Sequence, residues 1–303
     1  MRLGLKLVSR NLSATCCRCT VRSASVASAT ASNDIISKSA SDDVLKVVPL
    51  SGRDQGIVLL GFNRPKAKNS FNRSLVTKLE EALDAIRYDQ SVRVVILKSE
   101  VEGVFCAGAD LKERLTLTQI EVGAFVSRLR RLMCTIEELP VPVLAALDGA
   151  ALGGGLEMAL ATDIRVASNS ARLGLVETKL AILPGAGGTQ RLPRLIGPAR
   201  AKELIFTGRV LSGDEAKEFG LVNHCVREGS AYDKTLEIAR EIVPNGPVGV
   251  RMAKSAIDRG SRVDLNSGLA IEELCYAQVL PTKDRIEGLK AFGEKRKPVY
   301  IGE

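Results

Sequence analysis

The sequence predicts an α/β protein with a helical C-terminal part, and three observations carry that expectation. Short runs rich in Val, Ile and Leu alternate with stretches whose apolar residues recur every three to four positions, the pattern of helices packed on buried strands. The 303 residues are 45% hydrophobic and 26% charged, too apolar for disorder along the whole length. Beyond about Thr235 the strand-like runs stop. Charge, Gly or Pro interrupts every apolar block well before the roughly 18 residues of a membrane span, so no membrane insertion is expected.

The chain divides into three parts. Residues 1–33 carry Arg2, Lys6, Arg10, Arg18 and Arg22 and no acid, among many Ser and Ala, with Leu3, Leu5, Leu7 and Val8 near the start. That composition fits a mitochondrial transit peptide, assigned to residues 1–40, and places the mature protein in the mitochondrial matrix. Taking these five charges from the net +8 leaves +3, so the basic balance does not by itself argue for nucleic acid.

A core is expected over residues 41–235. Strands are expected at residues 56–63, 92–99, 104–107, 141–148, 163–168 and 221–226, each short and rich in Val, Ile or Leu. Between them Leu75, Val76, Leu79, Leu83 and Ile86 fall at helical spacing, as do Val122, Phe125, Val126, Leu129, Leu132, Met133 and Ile136. Residues 236–303 read as successive helices broken at Pro244, Pro247, Gly260 and Pro281, a common way to build contacts between copies of a chain.

The residues available for chemistry narrow the function. A single histidine, His224, makes a Ser-His-Asp triad or a multi-histidine metal site a poor fit, and no metal is expected. Cys106, Cys134, Cys225 and Cys275 are scattered singly, the usage of small apolar residues in a reducing compartment. Two glycine-rich stretches stand out: residues 149–160, with Gly153, Gly154 and Gly155 opening an apolar helix, and residues 184–190, with Gly185, Gly187 and Gly188. The first is neither a Walker loop nor a dinucleotide fingerprint, and the second, where Thr189 or a glycine could cap the following helix, reads by itself as a turn. Each carries a carboxylate nearby. Glu157 lies in the first turn of the apolar helix, where an unpartnered acid is unfavourable to bury, and Glu177 precedes the second stretch. Two acids in one cleft would make a general acid and base, although an acid early in a helix also simply favours the macrodipole. In residues 103–112 a buried strand ends in small residues. The N–H groups of Ala109 and Gly154 would form a two-donor oxyanion hole if the loops meet, and Asp110 would cap the following helix.

These residues resemble the crotonase, or enoyl-CoA hydratase, family. The likeness runs from about Gly56 to Glu303, through Asn63-Arg64-Pro65, the run Phe105 to Lys112, Gly153-Gly154-Gly155-Leu156-Glu157, and the run Pro184 to Leu192. It implies a spiral of repeated ββα units with a helical C-terminal region that forms trimers, often paired into hexamers. By resemblance, Ala109 and Gly154 polarise the thioester carbonyl of an acyl-CoA, Glu157 activates water toward C3, and Glu177 protonates C2. Lys66, Ala107, Gly108, Asp110, Leu111 and Lys112 would line the coenzyme A site, with Phe292 and Lys295 brought in from the C-terminal helices. Coenzyme A is then part of the substrate and no separate cofactor is implied. Retention of both acids favours hydration over double-bond migration. The phrases Gly174 to Ile182, Ala201 to Phe206 and Cys275 to Gln278 resemble a mitochondrial branch acting on a short branched 2-enoyl-CoA. RNA is known as a second partner in that branch, through a helix bearing lysines four apart. Here the row reads Arg73, Thr77, Glu81 with Lys78 off it, which disfavours RNA.

Overall fold

A computed structural model describes residues 43–303; the expected leader lies outside them. Ten strands form two sheets. The larger contains β1 (Leu45–Pro49), β2 (Ile57–Phe62), β3 (Val94–Ser99), β5 (Val143–Leu147), β7 (Ile164–Ser168) and β10 (His224–Val226), in that spatial order. The smaller contains β4 (Val104–Cys106), β6 (Ala150–Leu152), β8 (Arg172–Gly174) and β9 (Leu211–Ser212). Consecutive strands thus go to different sheets: β3, β5 and β7 enter the large sheet, and β4, β6 and β8 follow each into the small one. This is the repeated two-strand unit of a spiral. Parallel pairing from β2 through β10 leaves the strands β2, β3 and β5 covered on both faces, which is why they read as unbroken apolar runs.

The six expected strands are present, with no end more than three residues from its expected place. Four others escape periodicity. β1 pairs antiparallel with β2 at the sheet edge and alternates with Lys46, while β6, β8 and β9 are two or three residues long. Helix α1 (Arg73–Tyr88) begins where the Asn72 side chain accepts the Leu75 N–H, and it buries Leu75, Val76, Leu79, Ala82, Leu83 and Ile86. Each large apolar side chain buried there contributes roughly 2 kcal/mol. After the short helix α2 (Leu111–Arg114), α3 (Gln119–Glu137) starts at a Thr118–Glu121 capping box. Only its second half, from Leu129, is buried; Val122, Phe125 and Val126 are half-buried.

The remaining helices are α4 (Gly154–Leu160), α5 (Gly188–Ile196), α6 (Pro198–Thr207), α7 (Gly213–Glu218), α8 (Ala231–Ile242), α9 (Pro247–Gly260), α10 (Leu265–Val279) and α11 (Lys283–Gly293). Helix α8 crosses residue 236 without a break and packs on the large sheet, closing a second apolar layer around Ile57, Val94, Ile96 and Leu144. Helix α10 buries none of its residues and pairs chiefly with α9. Among the described residues no helix is long and apolar enough to cross a membrane.

Candidate active site

The ends of β4 and β6 bring two loops together. Asn69, fully buried in a left-handed conformation, donates from its side-chain amide to Ser99 Oγ and to the Phe105 carbonyl, and its own carbonyl accepts from the Cys106 thiol. Phe71 N–H donates to the Gly108 carbonyl at 2.7 Å and the Asp110 N–H to the Phe71 carbonyl at 2.9 Å, a parallel bridge that flanks Ala109 and leaves its N–H pointing away. Asp110 caps α2 by accepting from Lys112 and Glu113, and Arg64 holds it in a 3.1 Å ion pair. Gly108 abuts the start of α4: a methyl there would lie 3.0 Å from the Leu152 carbonyl and 3.4 Å from the Gly154 nitrogen. As first residue of α4, Gly154 has no carbonyl one turn back to accept its N–H. Among the described residues, neither this N–H nor that of Ala109 has an acceptor. Two free backbone donors therefore stand beside each other, a few ångströms of glycine backbone apart.

Both carboxylates join them. Glu157 is 3% exposed, and its Oε1 accepts from the Ala186 and Gly188 N–H groups at 2.8 and 2.7 Å. The second glycine stretch thus serves as its donor pair, with Gly187 at the N-cap of α5. Glu177 opens a single 3₁₀ turn (Glu177–Leu180) after β8 and is 9% exposed. Its carboxyl lies against α4, with Oε1 3.2 Å from where a methyl on Gly153 would sit. Its Oε2 is buried without a partner. Burial pushes both acids up. At Glu157 the two N–H donors, then Arg191 and Arg130, counter that rise. At Glu177 the charge of Glu157 adds to it, and the group reaches about 7. A held, more acidic carboxylate beside an orphaned, near-neutral one can remove a proton from water and supply another.

Sequence reasoning missed the supports of this arrangement. Arg191 grips Glu137 at 2.6 Å and the Ala186 carbonyl at 3.2 Å, and Arg130 donates to the Gly185 carbonyl at 3.0 Å. These partners lie 5 to 55 positions apart, and arginines carry no periodic signal.

The outer residues are placed less tightly. Lys66 is exposed on the turn Pro65–Ala67, whose neighbour Lys68 accepts the Ala107 N–H through its carbonyl at 3.0 Å, and Leu111 and Lys112 are exposed at the start of α2. These residues share the loop cluster. Phe292, 87% exposed, and Lys295 lie at the end of α11, and no hydrogen bond or ion pair among the described residues joins either to that cluster. On α1, Arg73 is paired with Glu121 and Lys78 with Asp43.

The fold and site have counterparts among known proteins. The sequence matches the family described as enoyl-CoA hydratase/isomerase over residues 52–303. Mitochondrial methylglutaconyl-CoA hydratase of Homo sapiens is 58% identical over 266 residues, 86% of this chain and 78% of that protein. Mitochondrial enoyl-CoA hydratase domain-containing protein 2 of Mus musculus is 56% identical over 263 residues, covering 86% and 89%. The crystal structure of an enoyl-CoA hydratase from Bacillus anthracis superposes with a TM-score of 0.83 at 50% identity, over 86% of this chain and all of that one. With a family match across most of its length and relatives at this identity, the chain belongs to the enoyl-CoA hydratase/isomerase family, and its two-sheet spiral is the crotonase fold.

Proposed function

We propose that the protein hydrates a short branched 2-enoyl-CoA, 3-methylglutaconyl-CoA, to 3-hydroxy-3-methylglutaryl-CoA, in the mitochondrial matrix and as a step of leucine breakdown. The observation that carries the reaction class is the pair of buried carboxylates with opposed environments beside two free N–H donors. The substrate follows the relatives named for methylglutaconyl-CoA.

The thioester oxygen accepts from Ala109 and Gly154 N–H, where the positive end of α4 and the two donors stabilise the enolate charge that develops as water adds. Glu157, with Oε1 fixed by two N–H groups, takes a proton from water through Oε2, and the oxygen bonds to C3. The C2–C3 double-bond electrons move toward the thioester, and Glu177, held near neutral and so largely protonated below pH 7, gives its proton to C2. Water's second hydrogen stays on the new hydroxyl. Lys66 and Lys112 serve the coenzyme A phosphates from the rim, and no metal or redox group takes part. Phe292 and Lys295, from the C-terminal helices, complete the coenzyme A site. The exposed apolar residues of α10 and α11 support assembly into trimers. Ion pairing of Arg73 and Lys78 with acids leaves RNA the weaker partner of this surface.

The test is steady-state hydration of 3-methylglutaconyl-CoA and crotonyl-CoA by the leader-free protein, with Glu157→Gln and Glu177→Gln. A kcat/KM preference for the branched acid, lost in both variants, supports the reading. Preference for crotonyl-CoA would replace it with a general short-chain hydratase, and double-bond migration surviving in one variant would favour an isomerase.

A further inference from the structure

A 3-methylglutaconyl chain ends in a carboxylate, and a site already holding two acids opposes that charge unless a cation receives it. The following inference rests on the substrate proposed above. Two cations lie close enough for their charge to act on Glu157: Arg191 and Arg130. Arg191 is committed, with Nη2 and Nε on Glu137 at 2.6 and 3.2 Å and Nη1 on the Ala186 carbonyl. Arg130 is not. It projects from α3, and only its Nε is used, donating to the Gly185 carbonyl at 3.0 Å. Among the described residues no carboxylate pairs with it, and its Nη1 and Nη2 have no acceptor.

Its neighbours do not compete for that fork. On α3, Arg128 is bonded to Glu80 and Arg131 to Ser127, and Glu121 is taken by Arg73. On α5, Arg194 bonds Gln190. The anchor also sets the position. Gly185 precedes Ala186, whose N–H holds Glu157, so the tether fixes Arg130 one residue along the backbone from a donor of the water-activating acid. One turn back on α3, Val126 packs against the same Gly185, 2.7 Å from where a methyl there would lie. A guanidinium held by Nε presents its two terminal nitrogens as a planar pair, the geometry that binds a carboxylate bidentately.

We propose that Arg130 is a specificity-determining residue, whose free Nη1 and Nη2 receive the distal carboxylate of an acid-ended acyl chain and so select it over neutral chains. The role differs from that of Arg191, which positions the donor loop and has no free fork.

The experiment measures kcat/KM for 3-methylglutaconyl-CoA and crotonyl-CoA with the wild-type protein, Arg130→Met and Arg130→Lys. Methionine keeps an apolar stem and removes the fork; Arg130 is exposed within the protomer, so folding is not at stake. In Arg130→Met the ratio of the two kcat/KM values falls about 10- to 100-fold relative to wild type, chiefly through a raised KM for the acid-ended substrate, the range of a lost charged hydrogen-bond pair. Arg130→Lys falls between, because a point charge replaces a bidentate pair. A wild-type preference for the acid-ended chain that persists undiminished in Arg130→Met overturns the role of Arg130 and leaves the substrate assignment standing. A wild type without that preference overturns the assignment, and the role of Arg130 with it.

Discussion

Glu177 has an oxygen buried with no donor, and its acid is held near 7 by burial and by the negative charge of Glu157. Its functional form in the proposed reaction is the protonated one. The expected kcat/KM for hydration therefore declines as pH rises through about 7, a limb that a pH–rate series would show and that Glu177→Gln would abolish along with activity. The same shift bears on stability. Because the folded-state value lies above the usual 4.5, the folded form binds the proton more tightly than the unfolded chain. That stability is fully present below about pH 4.5 and is lost as pH rises to and through about 7. Removing the charge with Glu177→Gln should raise stability by about 1–3 kcal/mol at pH 8, from roughly 1.36 kcal/mol per pKa unit. No gain is expected at pH 4. Denaturant unfolding at the two pH values checks this, and an equal effect at both would contradict it. Glu157 stood out among the residues as an acid in an apolar, glycine-flanked helix, whereas its pairing with Glu177 came from the family resemblance. Arg130, Arg191 and Asn69 were not, since nothing local distinguishes an arginine that holds a distant carbonyl from one that is solvated.

Among the elements, α4 depends on its approach to β4. A methyl on Gly155 would lie 2.1 Å from the Cys106 carbonyl oxygen and 2.8 Å from its carbon, both backbone atoms that cannot rotate away. Gly155→Ala must therefore part α4, which opens with the free donor of Gly154, from β4, which leads into that of Ala109. The expected result is a stability loss of about 1–3 kcal/mol and a collapse of kcat, with little rescue from added substrate. Thermal unfolding and kinetics on one preparation test it; unchanged kcat would show that the two donors need not be adjacent. Both sides of this contact were visible in the sequence, the glycines as a run and β4 as a buried strand ending in small residues, but that they touch was not, because no local pattern records a contact between segments so far apart in the chain. β6, at three residues, is too short for a periodicity of two to register. The core strands and α1, by contrast, announced themselves because burial acts directly on residue choice, giving unbroken apolar runs where both faces of a strand are covered and a 3.6 repeat along a helix with one buried face.

At the scale of the whole molecule, α10 is a helix without a buried face. Leu265, Leu269, Leu274 and Tyr276 are more than half exposed in the protomer, and Phe292, Leu289 and Ile301 extend the apolar surface. Such a surface on one chain is covered by another in an assembly. Light scattering should give a multiple of the protomer mass, and Leu269→Asp with Leu274→Asp should lower it while far-UV circular dichroism stays native. A wild-type protomer mass would contradict the assembly. The helical character of this region was legible from Pro and Gly breaks, whereas which face packs inward was not, because α10 is apolar nearly all round and offers no single stripe.

The alternation of strands between two sheets has a consequence for motion. Each of β4, β6 and β8 is joined by a short connection to a strand of the large sheet, so the small sheet cannot open as a separate unit while its neighbours stay closed. Strands of two or three residues would ordinarily fray, and their amides would exchange with solvent quickly. Here their opening is tied to that of the large sheet, and native-state hydrogen exchange should find the Phe105 and Ala151 amides slowed to the rate of those in β3 and β5. The donors of the site, which follow directly on strands of only three residues, would then be kept in place by the large sheet.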